Sequence, residues 1–137
     1  MTREHAIQNQ IRNALAGRGL IFRANVGQAW QGDVEKVTRT DYQLVEAGSI
    51  ILRNPRPFDT GLPSGFADLF GLVPVVVGPH LYGETVARFV ALEVKAPKGR
   101  VRKQQRQFLE AIEANGGLAG VARSPADALR IIGGGNG

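Results

Sequence analysis

The chain of 137 residues contains no cysteine, which excludes a disulfide framework and any thiolate metal site. Histidine is almost as scarce. His5 and His80 lie far apart without ligand spacing, so a structural zinc is not expected. No apolar run approaches the roughly 18 residues that a membrane span needs. The N-terminal residues also lack the apolar stretch of a secretory signal, so the expectation is a cytoplasmic protein with no membrane partner. No Walker loop is present, and no Gly-x-Gly-x-x-Gly follows a strand, so no nucleotide cofactor is expected. Acidic residues are the minority, 12 Asp and Glu against 17 Lys and Arg, giving a net charge of +5. That surplus favours a polyanionic partner, although charge alone is a weak signal.

What is present fits one domain with a single core over residues 1–132, followed by a disordered glycine-rich tail, 133–137. Residues 3–16 read as a helix capped by Thr2, with Ile7, Ile11, Ala14 and Leu15 at helical spacing and Gly17 and Gly19 beyond the end. Leu20–Val26 reads as a strand. Residues 27–48 are the least legible, with Val34–Val45 an irregular hairpin or a short helix. Ser49–Arg53 reads as a strand stopped by Pro55 and Pro57, and 54–65 as a loop. Ala67–Val77 and Arg88–Ala96 read as a hairpin of buried strands turning through Gly78–Glu84, with Pro74 marking an edge or a break. A helix over 101–114, a short strand at Leu118–Ala122 and a last helix opened by Ser124-Pro125 complete the order.

Chemistry concentrates in Phe89-Val90-Ala91-Leu92-Glu93-Val94-Lys95. Strand side chains alternate, so Glu93 and Lys95 share one face while Leu92 and Val94 pack on the other. An acid and a base on a buried strand are costly unless they are paired or at work. Twenty-five positions earlier, Asp68 interrupts another apolar segment. Hydrolysis of a phosphodiester needs an activated water and stabilised phosphoryl charge, and Mg²⁺ or Mn²⁺ supplies both. Hard cations take oxygen ligands. Asp68 and Glu93 fit as ligands, the Val94 carbonyl is a candidate third, and Lys95 fits as the group near the attacking water. The bland reading of Glu93 and Lys95 is a surface ion pair on an edge strand.

The surroundings strengthen the catalytic reading. Gln105 falls on the apolar stripe with Val101, Phe108, Leu109 and Ile112, so it points inward and its amide needs partners. Glu4 shares a helix face with Ile7 and Ile11, which brings a carboxylate to the core edge; its bland role is to offset the helix dipole. Lys95, Lys98, Arg100, Arg102, Lys103 and Arg106 fall within twelve residues. Arg102, Lys103 and Arg106 occupy the first turns of a helix, where positive charge opposes the macrodipole, and phosphate is the natural compensating partner. Gly61-Leu62-Pro63-Ser64-Gly65 reads as a flexible approach loop or a plain turn. Trp30, Tyr42 and Phe58 are candidates for base stacking, with core packing as the commoner alternative.

Helix residues Glu4 and Gln8, then Gly65-x-x-Asp68-Leu69, Glu93-Val94-Lys95, Gly99-Arg100 and Gln105-x-x-Phe108-Leu109, resemble the VRR-NUC branch of the PD-(D/E)XK nucleases. The closing segments Gly117–Arg123 and Ser124–Ile132 match that pattern too; residues 28–60 and the tail do not. The resemblance implies a restriction-endonuclease-like α/β core, a mixed β-sheet flanked by helices. It implies Asp68, Glu93 and the Val94 carbonyl as ligands of Mg²⁺ or Mn²⁺, Lys95 as the catalytic lysine, Gln105 as a supporting active-site residue and Glu4 reaching the metal from the first helix. Lys98, Arg100, Arg102, Lys103 and Arg106 would bind DNA. Ala67 departs from the proline often found before the aspartate, a position that shapes the strand entry and supplies no ligand.

Stand-alone members of this size resemble phage-type proteins that dimerise and cut branched DNA. The expectation is therefore a homodimeric, structure-selective endonuclease acting at Holliday junctions, in a bacterial or phage-infected cell. Two alternatives stand beside it, a sequence-specific or flap-type nuclease and a non-catalytic nucleic-acid-binding module.

Overall fold

The computed structural model describes residues 2–40, 42, 44–79 and 83–133. Helix α1 (Arg3–Leu15) starts where the Thr2 hydroxyl accepts the His5 N–H at 3.2 Å, a cap worth about 1 kcal/mol. Its residues Ile7, Ile11 and Leu15, four apart, form the buried stripe. Strands β1 (Leu20–Arg23), β2 (Gln28–Lys36), β3 (Ile50–Asp59), β4 (Leu69–Val77) and β5 (Glu84–Val94) follow. Helix α2 (Lys103–Ala114), strand β6 (Leu118–Ala122) and helix α3 (Pro125–Gly133) complete the order. Among the described residues, no helix is long and apolar enough to cross a membrane.

Four strands form a mixed sheet in the order β1-β4-β5-β6. The β1–β4 and β4–β5 pairs are antiparallel and β5–β6 is parallel. With three helices around it, this is the expected restriction-endonuclease-like α/β core. The period of two along β5 decides what each face meets. Val90, Leu92 and Val94 join Ile7, Ile11 and Leu15 of α1 and Ala128 of α3 in one cluster. Ala91 packs on the other side with Leu109, Phe108 and Ile112 of α2, together with Ala67 and Ala119. Cutting a side chain such as Leu92 back to alanine costs about 2–5 kcal/mol. The same alternation carries Glu93 and Lys95 to the α2 side.

Proline placement agrees with the expected edge at Pro74 and departs from the expectation at Pro55 and Pro57, for one reason. Pro74 lies inside β4 opposite Ala87, but β1 covers β4 only from Leu69 to Leu72. At Pro74, β4 is itself an outer strand and tolerates a missing N–H. Similarly, β3 runs through Pro55 and Pro57 instead of stopping there, pairing Pro57 with Trp30. Prolines two apart omit amides on the same side of a strand, and each strand of a two-stranded ribbon has one unpaired side. The ambiguous 27–48 segment supplies β2, the other half of this ribbon, with a register shift between Gln31 and Asp33.

The chain divides into two compact units, Met1–Asn25 with Pro63–Gly137, and Val26–Leu62. The first holds the four-stranded sheet and all three helices. The second is the β2–β3 ribbon, where Trp30 is 69 % exposed, Phe58 is exposed too, and Val37 is the buried hydrophobic residue among those described. Of the turn expected at Gly78–Glu84, residues 80–82, including His80, lie outside the described residues. Gly133 ends α3, and 134–137 of the expected tail also lie outside them.

Candidate active site

The β4–β5 pairing ends at Leu69–Leu92, and the residues just beyond build the site. Asp68 would face Glu93 if the ladder continued. Instead its carboxylate Oδ2 accepts the backbone N–H of Val94 at 2.8 Å, while its carbonyl accepts the Ala24 N–H at 2.9 Å. The aspartate is thus fixed by main chain on both sides, next to the end of β5. Val94 joins the cluster through its backbone, its side chain being wholly buried in the core.

Glu93 is 2 % exposed and Lys95 9 %. The Lys95 ammonium lies 3.5 Å from Glu93 Oε1, and the same oxygen accepts Gln105 Nε2 at 2.6 Å. Gln105 works at both ends. Its Oε1 accepts the N–H of Arg102, the residue before α2, at 2.9 Å, so the first turn of α2 and the Glu93 carboxylate are tied together by one amide. The other Glu93 oxygen, Oε2, is buried with no hydrogen-bond partner. Burial pushes the Glu93 carboxyl up to about 7, the Asp68 charge adds to the rise, and Lys95 pulls it back.

These residues fit a hard divalent cation. A buried Glu93 carboxyl whose proton affinity the neighbouring Asp68 charge raises, with one buried oxygen lacking any donor, forms an acceptor-rich spot that a cation would balance. Glu4 is not gathered into it. It is half-buried at the start of α1, and no cluster of three or more Asp, Glu or His residues able to hold a metal occurs among the described residues.

Lys98, Arg100, Arg102, Lys103 and Arg106 are all exposed, and no ion pair involves them among the described residues. The first turn of α2 carries no acid, so this positive ridge stands uncompensated beside the Glu93–Lys95 end of β5. Gly65, weighed as an approach loop, has a structural reason. At φ +88°, a side chain there would press within 2.6 Å of the Gln104 carbonyl and 3.0 Å of the Gln105 nitrogen. The bare backbone at Gly65 packs on the start of α2, three residues before Asp68. Trp30 and Phe58 are exposed on the ribbon, outside the core.

Sequence reasoning missed Arg123. Its guanidinium Nη1 donates to the carbonyls of Ala96 at 2.6 Å, Gly99 at 2.8 Å and Pro97 at 3.3 Å. Carbonyl acceptors leave no periodic trace in a sequence, so no pattern could have found it. Its backbone N–H donates to Asp127 Oδ2 at 3.0 Å, and that bond holds the Asp127 carboxyl below the usual carboxylate range, with Arg130 adding to the effect.

A carboxylate pair, a buried lysine and a basic ridge thus meet on a mixed sheet, and one comparison with known proteins identifies the family. The family model for the VRR-NUC domain matches residues 53–126, just over half of the chain. The chain belongs to the VRR-NUC domain family, nuclease domains of the PD-(D/E)XK superfamily. Helix α1 with Glu4 lies outside the matched stretch. A search of curated proteins and one of solved structures found no match. As a nuclease domain it is a hydrolase with DNA as partner, and domains of this superfamily generally use divalent metals.

Proposed function

We propose that this domain is a Mg²⁺- or Mn²⁺-dependent endonuclease that hydrolyses DNA phosphodiesters through Asp68, Glu93, Lys95 and Gln105. One observation carries the reading. Glu93 is buried with a partnerless oxygen, beside a second carboxylate and a lysine, an arrangement that is costly for folding alone. Asp68, Glu93 and the Val94 carbonyl would hold the ion. When bound, the ion supplies Lewis acidity at the phosphoryl oxygen and a more acidic water. Lys95 orients the attacking water and offsets charge developing on the phosphate. Gln105 holds the Glu93 carboxylate against the start of α2. The exposed ridge from Lys98 to Arg106 binds the DNA backbone.

The preferred substrate in this reading is branched DNA such as a Holliday junction, cut by a homodimer with two active sites. Its support is the resemblance to stand-alone members of this size, together with a recognition surface dominated by phosphate-binding charge, which reads shape and backbone before sequence. A binding-only module is the second reading, favoured by the lack of a third carboxylate near Asp68 and Glu93 among the described residues. Lys95→Ala separates the two. On the nuclease reading it loses cleavage and still binds DNA; cleavage at the wild-type rate would refute the assignment.

A further inference from the structure

The turn that follows Lys95 is held from outside β5. Its own hydrogen bond runs from the Gly99 N–H to the Ala96 carbonyl at 2.9 Å. Three of its main-chain oxygens, those of Ala96, Pro97 and Gly99, accept from Arg123 Nη1. That nitrogen has two hydrogens for three acceptors, so the carbonyls crowd round it as round a bound cation. The turn folds back over the lysine it follows. A methyl group added at Gly99 would sit 3.3 Å from Lys95 Cβ and 3.3 Å from the Ala96 carbonyl.

Arg123 is itself anchored. The preceding residue, Ala122, accepts the Lys95 N–H at 3.1 Å, and Arg123's own N–H is held by Asp127 in the first turn of α3. That turn is capped by Ser124 Oγ, which accepts the Asp127 N–H at 3.2 Å. Hydrogen bonds therefore run from the cap of α3 through Arg123 to the 96–99 turn, whose Gly99 lies next to the base of the Lys95 side chain. A lysine has four rotatable bonds, and a stem left open would let its ammonium leave Glu93.

We propose that Arg123 is a positioning residue for Lys95, gathering the carbonyls of Ala96, Pro97 and Gly99 so that the turn closes over the lysine stem and keeps the ammonium beside Glu93. The inference rests on the nuclease reading above and adds to it a residue that touches neither DNA nor metal.

The test uses the full chain with Arg123→Ala, Arg123→Lys and Gly99→Ala. It measures melting temperature, kcat and KM on a four-way junction, and Kd in EDTA across a salt series. Arg123→Ala is expected to lower kcat by about 10- to 100-fold while Kd and its salt slope stay near wild type. Arg123→Lys restores only part of kcat, because an ammonium lacks the planar fork that serves several carbonyls. Gly99→Ala keeps Arg123 and disturbs the turn, so it lowers kcat in the same direction and carries the test if Arg123→Ala fails to fold.

Wild-type kcat in folded Arg123→Ala or in Gly99→Ala would overturn the proposal. So would full recovery in Arg123→Lys. A loss confined to Kd, with the salt slope reduced by about one, would make Arg123 a phosphate contact and overturn it too. A wild-type protein that cuts nothing in either metal would sink the nuclease reading itself, and this proposal with it.

Discussion

The two compact units are made from differently spent sequence. The first, Met1–Asn25 with Pro63–Gly137, carries 13 Lys and Arg against 7 Asp and Glu; the second, Val26–Leu62, carries 4 against 5. In the first, a buried apolar core coexists with exposed Leu20, Phe22 and Val76, and the charges are sorted, with Glu93 and Lys95 buried and the ridge from Lys98 to Arg106 exposed. In the second, Trp30, Val34, Ile50 and Phe58 stand exposed, and Arg53 is paired with Glu35 across the ribbon. A two-stranded hairpin is marginal in water by itself. Exposed apolar side chains occur in both units, so buried charge is what separates them; on our reading the first unit carries the chemistry and the second substrate choice or dimer contact.

The sharpest break in that comparison comes from Lys95→Ala. It should lower the cleavage rate by about 10²- to 10⁴-fold and leave the DNA dissociation constant in EDTA near wild type, as read by gel and by fluorescence anisotropy on the same protein.

Glu93 provides the next test, through stability. Its carboxyl lies at about 7 in the folded protein against 4.5 for the ordinary group. A raised pKa means that the folded state prefers the protonated form. The stabilisation is full below about 4.5 and is lost as pH rises through about 7. Metal-free protein should therefore melt at a lower temperature at pH 8 than at pH 5.5, and Glu93→Gln should flatten that slope while abolishing cleavage. An equally steep slope in Glu93→Gln would assign the pH dependence elsewhere. Metal binding needs the carboxylate, so added Mg²⁺ or Mn²⁺ should raise the melting temperature more at pH 8 than at pH 6.

A smaller effect is expected at the basic ridge. Arg102→Ala with Lys103→Ala should weaken binding to all DNA forms and reduce the slope of log K against log salt by roughly 2. An unchanged slope would put the DNA on another surface. Smallest of all is the ribbon. Trp30→Ala removes an exposed side chain, so stability should move by no more than about 0.5 kcal/mol and the rate on linear duplex should hold. The ratio of junction to duplex cleavage is where this variant should differ, and an unchanged ratio would remove Trp30 from substrate choice.

Legibility in the sequence followed the physics of each signal. Alternation along 89–95 placed Glu93 and Lys95 on one face, and helical spacing turned Gln105 inward, because both periods are local. The sheet of buried strands was legible for the same reason. The ribbon was not, since Pro55 and Pro57 read as strand breakers until it is known that β3 has an unpaired side. Arg123 was not legible either, because its partners are backbone oxygens that every residue has. Glu4 lay on the expected helix face, yet a face assignment does not fix the distance to a cluster built by other elements.

The most direct test of the central claim is cleavage of a labelled four-way junction and a matched linear duplex by wild type and Lys95→Ala, each with Mg²⁺, Mn²⁺ or EDTA. The account predicts metal-dependent cutting of the junction by wild type, none in EDTA, and none by Lys95→Ala, which still binds. Binding without cutting by wild type in both metals, or cutting by Lys95→Ala at the wild-type rate, would contradict it.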